Sequence, residues 1–295
     1  MNIIITGSGG QLGTECVRAL ADRHGVLGLT RDQLDITDAA AVASVLTAYR
    51  PRAVVNCAAF TRVDDCEGRA RTADEVNVRG PQNLARAAEK IGARLIHFST
   101  DYVFDGAKTV PRAYVESDPG RPLSAYGRSK LSGEQAIAMN AKRYAIVRTA
   151  WLYAIGGNNF LKTVLRLALR DPVNPLRVVD DQFGSPTYAR RLALQVRCLL
   201  DEDAAGIYHA SAEGYCSWHQ LAGYFLNKMK VPFELAPCPS SEYPTAARRP
   251  MNAILENARL KAEGLNLMVD WREDVDGFVA AYRERLIAEC TNDRG

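Results

Sequence analysis

Histidine is scarce in this 295-residue sequence, and its cysteines form no recognisable metal-binding pattern. The four histidines show no ligand spacing with one another, and the seven cysteines include no C-x-x-C pair. These absences argue against a zinc site. An odd number of cysteines without a secretion signal is typical of reduced thiols, so we predict a cytoplasmic protein without a metal site.

Long apolar runs and clusters of like charge are also missing. No run approaches the ~18 apolar residues of a membrane-spanning helix, and the segment before Gly7 is too short for a signal peptide. The 37 basic and 34 acidic side chains give a net charge of only +3, without the basic cluster of a nucleic-acid-binding protein. We therefore expect a globular protein with neither a membrane nor a nucleic acid as partner.

The sequence does contain a repeated order of strand and helix. Five short apolar runs predict strands, at residues 2–6, 26–30, 53–59, 94–100 and 144–150. Helical spacing lies between them, with the longest helix expected at 72–91. This order predicts an α/β fold, a Rossmann-type doubly wound parallel sheet that binds ligands at the carboxyl ends of its strands. We assign residues 1–150 to a dinucleotide-binding domain, to which residues near 171–200 return, and 151–295 mainly to a smaller α/β substrate domain.

A glycine-rich turn follows the first predicted strand directly. Gly7, Gly10 and Gly13 have the spacing G-x-x-G-x-x-G and lead into a helix. Glycines at such a turn let the backbone approach a pyrophosphate, and the helix N-terminus supplies N–H donors and the positive end of a dipole. The turn therefore predicts a nicotinamide dinucleotide cofactor.

The residues after the second predicted strand bear on which cofactor binds. NAD-binding folds place an acidic side chain there, whereas an arginine can pair with the 2′-phosphate of NADP. Arg31 and Asp32 are adjacent at this point. We expect NADPH on the basis of Arg31, and NADH stays open because of Asp32.

Two tyrosine–lysine pairs have the spacing Y-x-x-x-K. Tyr126 and Lys130 follow a predicted strand that ends near Thr100, whereas Tyr224 and Lys228 lie far from the glycine turn and are interpreted as structural. Side chains four residues apart share a helix face, so the Lys130 ammonium should favour the phenolate and lower the pKa of Tyr126. Tyr126 could then donate a proton to a carbonyl oxygen, with Thr100 bonding the same oxygen.

These motifs resemble the extended short-chain dehydrogenase/reductase superfamily. The resemblance is carried by the glycine turn, N-C-A-A at 56–59, S-T-D-Y-V-F at 99–104 and the Tyr126–Lys130 pair. Four later segments narrow it to the dTDP-4-dehydrorhamnose reductase family, at residues 148–153, 157–160, 181–187 and 247–252. The resemblance covers essentially the whole chain.

The resemblance implies a role for each matching residue. Tyr126 would be the proton donor, Lys130 its partner and a ribose ligand, and Thr100 the hydrogen-bond partner of the carbonyl. Further cofactor contacts would come from Gly10, Gln11, Leu12, Asp35, Ile36, Ala58, Ala59 and Thr61. Substrate contacts would come from Asp101, Trp151, Asn158, Asn159, Arg248 and Arg249. Trp151 could instead anchor the core, the asparagines could cap a helix, and the arginines could pack a loop.

The expected reaction is reduction of the C4 ketone of dTDP-4-dehydro-6-deoxy-L-mannose to dTDP-L-rhamnose. Two alternatives stay open, another nucleotide-sugar 4-ketoreductase and a cofactor-binding regulatory subunit without turnover. Some family members dimerise around magnesium held by glutamates. Glu15 matches one such position, but Arg190 stands at another and cannot bind a metal, so Glu15 is expected on a helix surface. We expect a monomer or weak homodimer.

Overall fold

The first half of the chain alternates strands and helices as predicted. The computed structural model describes residues 1–292. Its first elements are β1 (Asn2–Thr6), α1 (Gln11–Ala21), β2 (Gly25–Leu29), α2 (Ala39–Tyr49), β3 (Ala53–Asn56), α3 (Val63–Gly68), α4 (Ala70–Asp74), α5 (Gly80–Ile91), β4 (Arg94–Thr100), α6 (Ala125–Asn140) and β5 (Tyr144–Thr149).

The second half contains shorter strands between its helices. They are β6 (Leu152–Tyr153), α7 (Phe160–Arg170), β7 (Leu176–Val179), β8 (Phe183–Gly184), β9 (Thr187–Tyr188), α8 (Ala189–Asp201), β10 (Gly206–His209), β11 (Cys216–Ser217), α9 (Trp218–Met229), β12 (Leu235–Cys238), β13 (Asn252–Ala253), α10 (Ala258–Ala262) and α11 (Trp271–Asn292). None of the helices within residues 1–292 has the length and apolarity to cross a bilayer.

The central sheet has six parallel strands in the order β10-β5-β4-β3-β1-β2. Ile3 and Ile5 pack on one face with residues of α1 and α8, and Ile4 packs on the other with residues of α2 and α5. A parallel sheet covered on both faces confirms the predicted Rossmann-type fold. The carboxyl ends of β1, β3 and β4 therefore meet at one edge.

The predicted helix at 72–91 is interrupted. A π-helical turn at Glu75–Arg79 separates α4 from α5. Pro81 lies in the first turn of α5 and lacks the N–H that would continue the helical ladder, and such sites widen or bend helices. Gly80 packs against Ile36, where an added Cβ would lie 2.5 Å from the Ile36 side chain. The interruption thus fits the helix against the loop after β2.

Candidate active site

The glycine turn forms a backbone cradle at the end of β1. Gly7 has φ +65°, and a Cβ there would lie 2.6 Å from the Ala58 nitrogen. A Cβ on Gly13 would lie 2.1 Å from the Gly7 oxygen, so α1 packs closely against the turn. Helix α1 starts without a side-chain cap at Gly10, which leaves its first N–H groups available to an anion.

A cavity of about 340 Å³ opens at this turn. Seven of the predicted cofactor residues line it, namely Gly7, Gly10, Arg31, Asp35, Ile36, Ala58 and Ala59. Gln11, Leu12, Gly13 and Thr61 are not among its lining residues. Leu12 packs in the core, and the Gln11 amide bonds the Asn158 carbonyl at 3.1 Å and the Asn159 amide at 3.1 Å. Gly9, Thr30, Leu34, Cys57, Phe60 and Val76 complete the lining, and sequence reasoning missed Leu34, Phe60 and Val76 among them.

Arg31 lies at the rim of this cavity with an exposed guanidinium. Its Nε is 3.5 Å from an Asp35 carboxylate oxygen, in a pair that solvent screens. Asp35 also accepts bonds from the Thr37 N–H and hydroxyl, at 2.9 and 2.8 Å, and these bonds lower the pKa of Asp35. Asp35 is therefore fixed by its own loop, whereas Arg31 is free to reach a ligand.

Tyr126 and Lys130 face the end of β4 from α6, and both are buried. Burial raises the pKa of Tyr126. The expected lowering of this pKa is wrong, because burial outweighs the contacts that would lower it. The Lys130 amino group binds other partners. Its Nζ donates to the Phe98 carbonyl at 2.7 Å and lies 3.2 Å from Nε2 of His97. Tyr126 thus holds its proton firmly in this state.

Thr100 and Asp101 stand beside the phenol at the end of β4. The Thr100 hydroxyl donates to one Asp101 carboxylate oxygen at 2.9 Å, and its oxygen accepts a bond from the Tyr102 N–H at 3.2 Å. The second Asp101 oxygen, Oδ2, is buried and has no hydrogen-bond partner among residues 1–292. Burial raises the pKa of Asp101 to about 7. Asp101 is therefore a carboxyl group that can carry a proton near neutral pH.

A second cavity, of about 830 Å³, is lined mainly by residues of the second half, and Asp105, Gly106, Ala107 and Leu123 of the first half complete its wall. Trp151 does not line it. Instead, Trp151 stacks on Trp218 with ring centroids 3.4 Å apart, and Trp218 lines the cavity together with Phe160 and Tyr243. Sequence reasoning missed Trp218 and Tyr243. Trp218 opens α9 directly after a Ser217–Gln220 capping box, which is the one sequence signal that could have drawn attention to it.

The two candidate arginines have different surroundings. Arg249 binds both carboxylate oxygens of Asp64, at 3.1 and 2.8 Å, and the Ala247 N–H donates to the same carboxylate. Both arginines line the larger cavity, but Arg248 makes no hydrogen bond or ion pair with any residue that the structure describes. Arg249 thus packs a loop, whereas Arg248 is available to an anion.

Asn159 caps α7, because its side-chain oxygen accepts a bond from the Lys162 N–H at 3.2 Å. Its amide donates to the Ala154 carbonyl at 2.8 Å. These bonds account for Asn159 without a ligand. The Asn158 backbone carbonyl is bonded by Gln11, which ties the start of α7 to the glycine turn.

The expectation that Glu15 is a surface residue is wrong. Glu15 is buried on α1 and pairs with Arg18 at 3.2 Å, whereas Arg190 is exposed. Within residues 1–292, no three histidine, cysteine or acidic side chains are grouped to hold a metal ion. The second tyrosine–lysine pair is peripheral, since Tyr224 and Lys228 each bond the Asp276 carboxylate at 2.8 Å.

Comparison with known proteins places these features in a family. The family model described as "RmlD substrate binding domain" matches residues 1–284. The dTDP-4-dehydrorhamnose reductase of Burkholderia thailandensis is 39% identical, with 92% of this chain and 96% of that protein covered. A crystal structure of the Clostridium acetobutylicum reductase superposes with a TM-score of 0.93 at 38% identity, covering 96% and 100%. The Bacillus anthracis enzyme in complex with NADP gives 0.92 at 36% identity, covering 95% and 99%. The chain therefore belongs to the RmlD substrate binding domain family, together with the dTDP-4-dehydrorhamnose reductases.

Proposed function

We propose that the chain reduces the C4 ketone of dTDP-4-dehydro-6-deoxy-L-mannose to dTDP-L-rhamnose, with NADPH as the favoured cofactor. The observation that carries the proposal is the grouping of Thr100, Tyr126 and Lys130 at the end of β4, on the sheet edge that also carries the glycine turn. The relatives support the same reaction, because they are named for it and one of them binds NADP.

The residues at the glycine turn fit a nicotinamide dinucleotide. The turn at Gly7 and the uncapped start of α1 suit a pyrophosphate, and the exposed Arg31 suits a 2′-phosphate. The cavity rim also contains Asp35, which suits ribose hydroxyls and leaves NADH as a weaker alternative. When bound, the reduced nicotinamide supplies the hydride that C4 receives.

Tyr126 completes the reaction by giving its phenolic proton to the carbonyl oxygen of the substrate. A ketone oxygen gains negative charge as its carbon is reduced, and a proton donor at that oxygen stabilises the charge. Since burial keeps the phenol protonated, Tyr126 is ready to donate before the substrate arrives. Thr100 orients Asp101, whose second carboxylate oxygen is buried and available to a sugar hydroxyl.

The larger cavity suits the nucleotide part of the substrate. Phe160, Trp218 and Tyr243 offer flat apolar surfaces for a base, and Arg248 offers an unpaired cation for the diphosphate. We assign Arg248 to the diphosphate and Arg249 to the loop that carries it. Trp151 contributes by supporting the Trp218 ring from behind.

Replacing Tyr126 by Phe tests the mechanism, with Tyr224→Phe as the matched control. Tyr126→Phe should reduce kcat by at least about 100-fold while NADPH affinity stays within twofold, because only the donated proton is removed. Tyr224→Phe should retain full activity. The measurement is NADPH oxidation with enzymatically prepared dTDP-4-dehydro-6-deoxy-L-mannose.

Near-normal turnover by Tyr126→Phe would contradict the role of the phenol. NMR of the product distinguishes the related alternative, since a different deoxyhexose would identify another nucleotide-sugar 4-ketoreductase. Tight NADPH binding without turnover of any keto-sugar would instead identify a regulatory subunit.

A further inference from the structure

A row of buried polar side chains crosses the sheet beneath the candidate active site. Thr6 on β1, Asn56 on β3, His97 on β4 and Lys130 on α6 are each at most 2% exposed. The Thr6 hydroxyl lies 2.7 Å from the Asn56 oxygen, and the Asn56 amide nitrogen lies 2.9 Å from Nδ1 of His97. Nε2 of His97 then lies 3.2 Å from the Lys130 nitrogen. Each member therefore contacts the next.

The direction of these hydrogen bonds is fixed at the Asn56 end. The backbone N–H of Ala58 can only donate, and it lies 3.1 Å from the Asn56 side-chain oxygen. If the Asn56 amide were flipped, its NH₂ group would face this N–H, and two donors cannot form a hydrogen bond. The Asn56 oxygen therefore faces Ala58 and Thr6, and its NH₂ group donates to Nδ1 of His97.

This direction determines the tautomer of His97. Burial holds the pKa of His97 well below its usual value, so the ring is neutral and carries one proton. Because Nδ1 accepts a bond from Asn56, that proton is on Nε2. The Nε2–H group then points at the Lys130 nitrogen. An ammonium has three donors and no lone pair, so only the neutral amine can accept this bond.

We propose that His97 is a positioning residue, held by Asn56 as the Nε2–H tautomer, which favours the neutral amine of Lys130 in the cofactor-free protein. Of the other neighbours of Lys130, Glu134 opposes this effect by raising the pKa of Lys130, but it does not outweigh burial. Glu134 lies one turn further along α6, but both of its oxygens bond Arg148, at 2.9 and 2.6 Å. Tyr126, one turn before, is kept neutral by burial. Burial lowers the pKa of Lys130 itself to about 8.

The inference deepens the proposed function but can be tested without it. An anionic cofactor at the sheet edge would favour the ammonium, so the pKa of Lys130 would rise as the cofactor binds, and near pH 8 Lys130 would take up a proton. Above about pH 8 the free protein would thereby keep an uncompensated charge out of its interior. Both the tautomer and the charge of Lys130 are properties of the cofactor-free chain.

The tautomer is tested by ¹H–¹⁵N NMR of the histidine side chains in the cofactor-free protein. The chain has four histidines, and loss of one ring signal in His97→Gln assigns His97. We expect the Nε2–H pattern for His97. The variant Asn56→Asp places a second carboxylate oxygen opposite Nδ1, so His97 should change to the Nδ1–H pattern. Thr6→Val is the matched control and should leave the tautomer unchanged, because Ala58 still orients Asn56.

The charge of Lys130 is tested by a pH titration of ¹³Cε-labelled lysine. The chain has eight lysines, and Lys130→Met assigns the signal. We expect a midpoint near pH 8 in the native chain and an acid dissociation constant about tenfold smaller in Asn56→Asp, because Nε2 then accepts a bond from the ammonium. An Nδ1–H or cationic His97 in the native chain would overturn the proposal, as would a native Lys130 midpoint above pH 10. Neither result depends on turnover of a keto-sugar.

Discussion

At the scale of single residues, Asp101 couples the site to the stability of the fold. Its pKa rises from 3.8 to about 7 on burial, so the folded chain binds a proton that the unfolded chain has lost between these values. The contribution to stability is complete below about pH 4 and is lost as the pH rises towards 7. The free energy of unfolding should therefore fall by about 1.4 kcal/mol for each pH unit in this window.

Asp101→Asn tests this coupling, because the amide has the same shape but does not titrate. Urea unfolding of both proteins at pH 5 and pH 7 should show that the free energy of unfolding decreases less in the variant between these two pH values. If the two free energies of unfolding changed in parallel with pH, Asp101 would be ionised in the folded state throughout.

The spacing of residues predicted which side chains meet, but not their charge. Tyr126, Lys130 and Thr100 come together as their positions on α6 and β4 indicated. The predicted direction of the Tyr126 pKa shift was wrong, because the shift is set mainly by burial in the folded chain, and the neighbouring Asp101 raises the pKa further. Likewise, nothing local distinguishes Arg248 from Arg249, because the Asp64 partner lies 185 residues away.

At the scale of elements, the turn between β1 and α1 requires glycine at position 13 more than at position 9. An added Cβ at Gly13 meets the Gly7 oxygen at 2.1 Å, whereas one at Gly9 meets only a Thr30 methyl at 3.6 Å. Gly13→Ala should therefore lower the free energy of unfolding by about 1–3 kcal/mol, as overpacking does. Gly9→Ala should change it by less than about 0.5 kcal/mol.

Thermal or urea unfolding of the two cofactor-free variants makes the comparison. If the two variants had equal free energies of unfolding, α1 would be able to shift away from the turn without loss of stability. The glycine turn between β1 and α1 was predictable from local sequence. The two-residue strands were not predictable in this way, because pairing with distant segments defines them rather than periodicity. They are β6, β8, β9, β11 and β13.

At the scale of the whole molecule, the ion pair between Arg249 and Asp64 joins the loop at 244–250 to α3 of the first half. The Asp64 carboxylate also holds the Ala247 N–H at 2.9 Å, so the loop is attached at two points. Arg248 is carried on this loop, with its side chain towards the larger cavity. The two arginines should therefore respond differently to the same substitution.

Arg248→Gln should weaken binding of dTDP by about tenfold and reduce the dependence of its Kd on salt, because one charge–charge contact is lost. Arg249→Gln should keep that salt dependence and instead make the loop at 244–250 more sensitive to proteolysis. Calorimetry at two salt concentrations and limited proteolysis separate the two effects. Identical behaviour of the two variants would contradict the division of roles.

The overall fold could be predicted because five strands of its sheet follow one another in sequence with clear apolar runs. The sixth strand, β10, pairs with β5 although α7, α8 and four short strands separate them. Its four residues carry a weak signal that indicates a strand without indicating its neighbour. Sheet membership across such a distance follows from the packing of α8 on α1 rather than from local pattern.

The position of β10 has a consequence for how the protein is made. Ribosomes add about 5–20 residues per second, so β10 is synthesised several seconds after β5. During that interval the buried strand β5, with Ile146 and Val147, is an open edge that other chains can pair with. A gene cut after residue 150 would leave this edge open permanently. The sheet of the first half is thus incomplete until the second half has been synthesised. A chaperone would matter most during this interval.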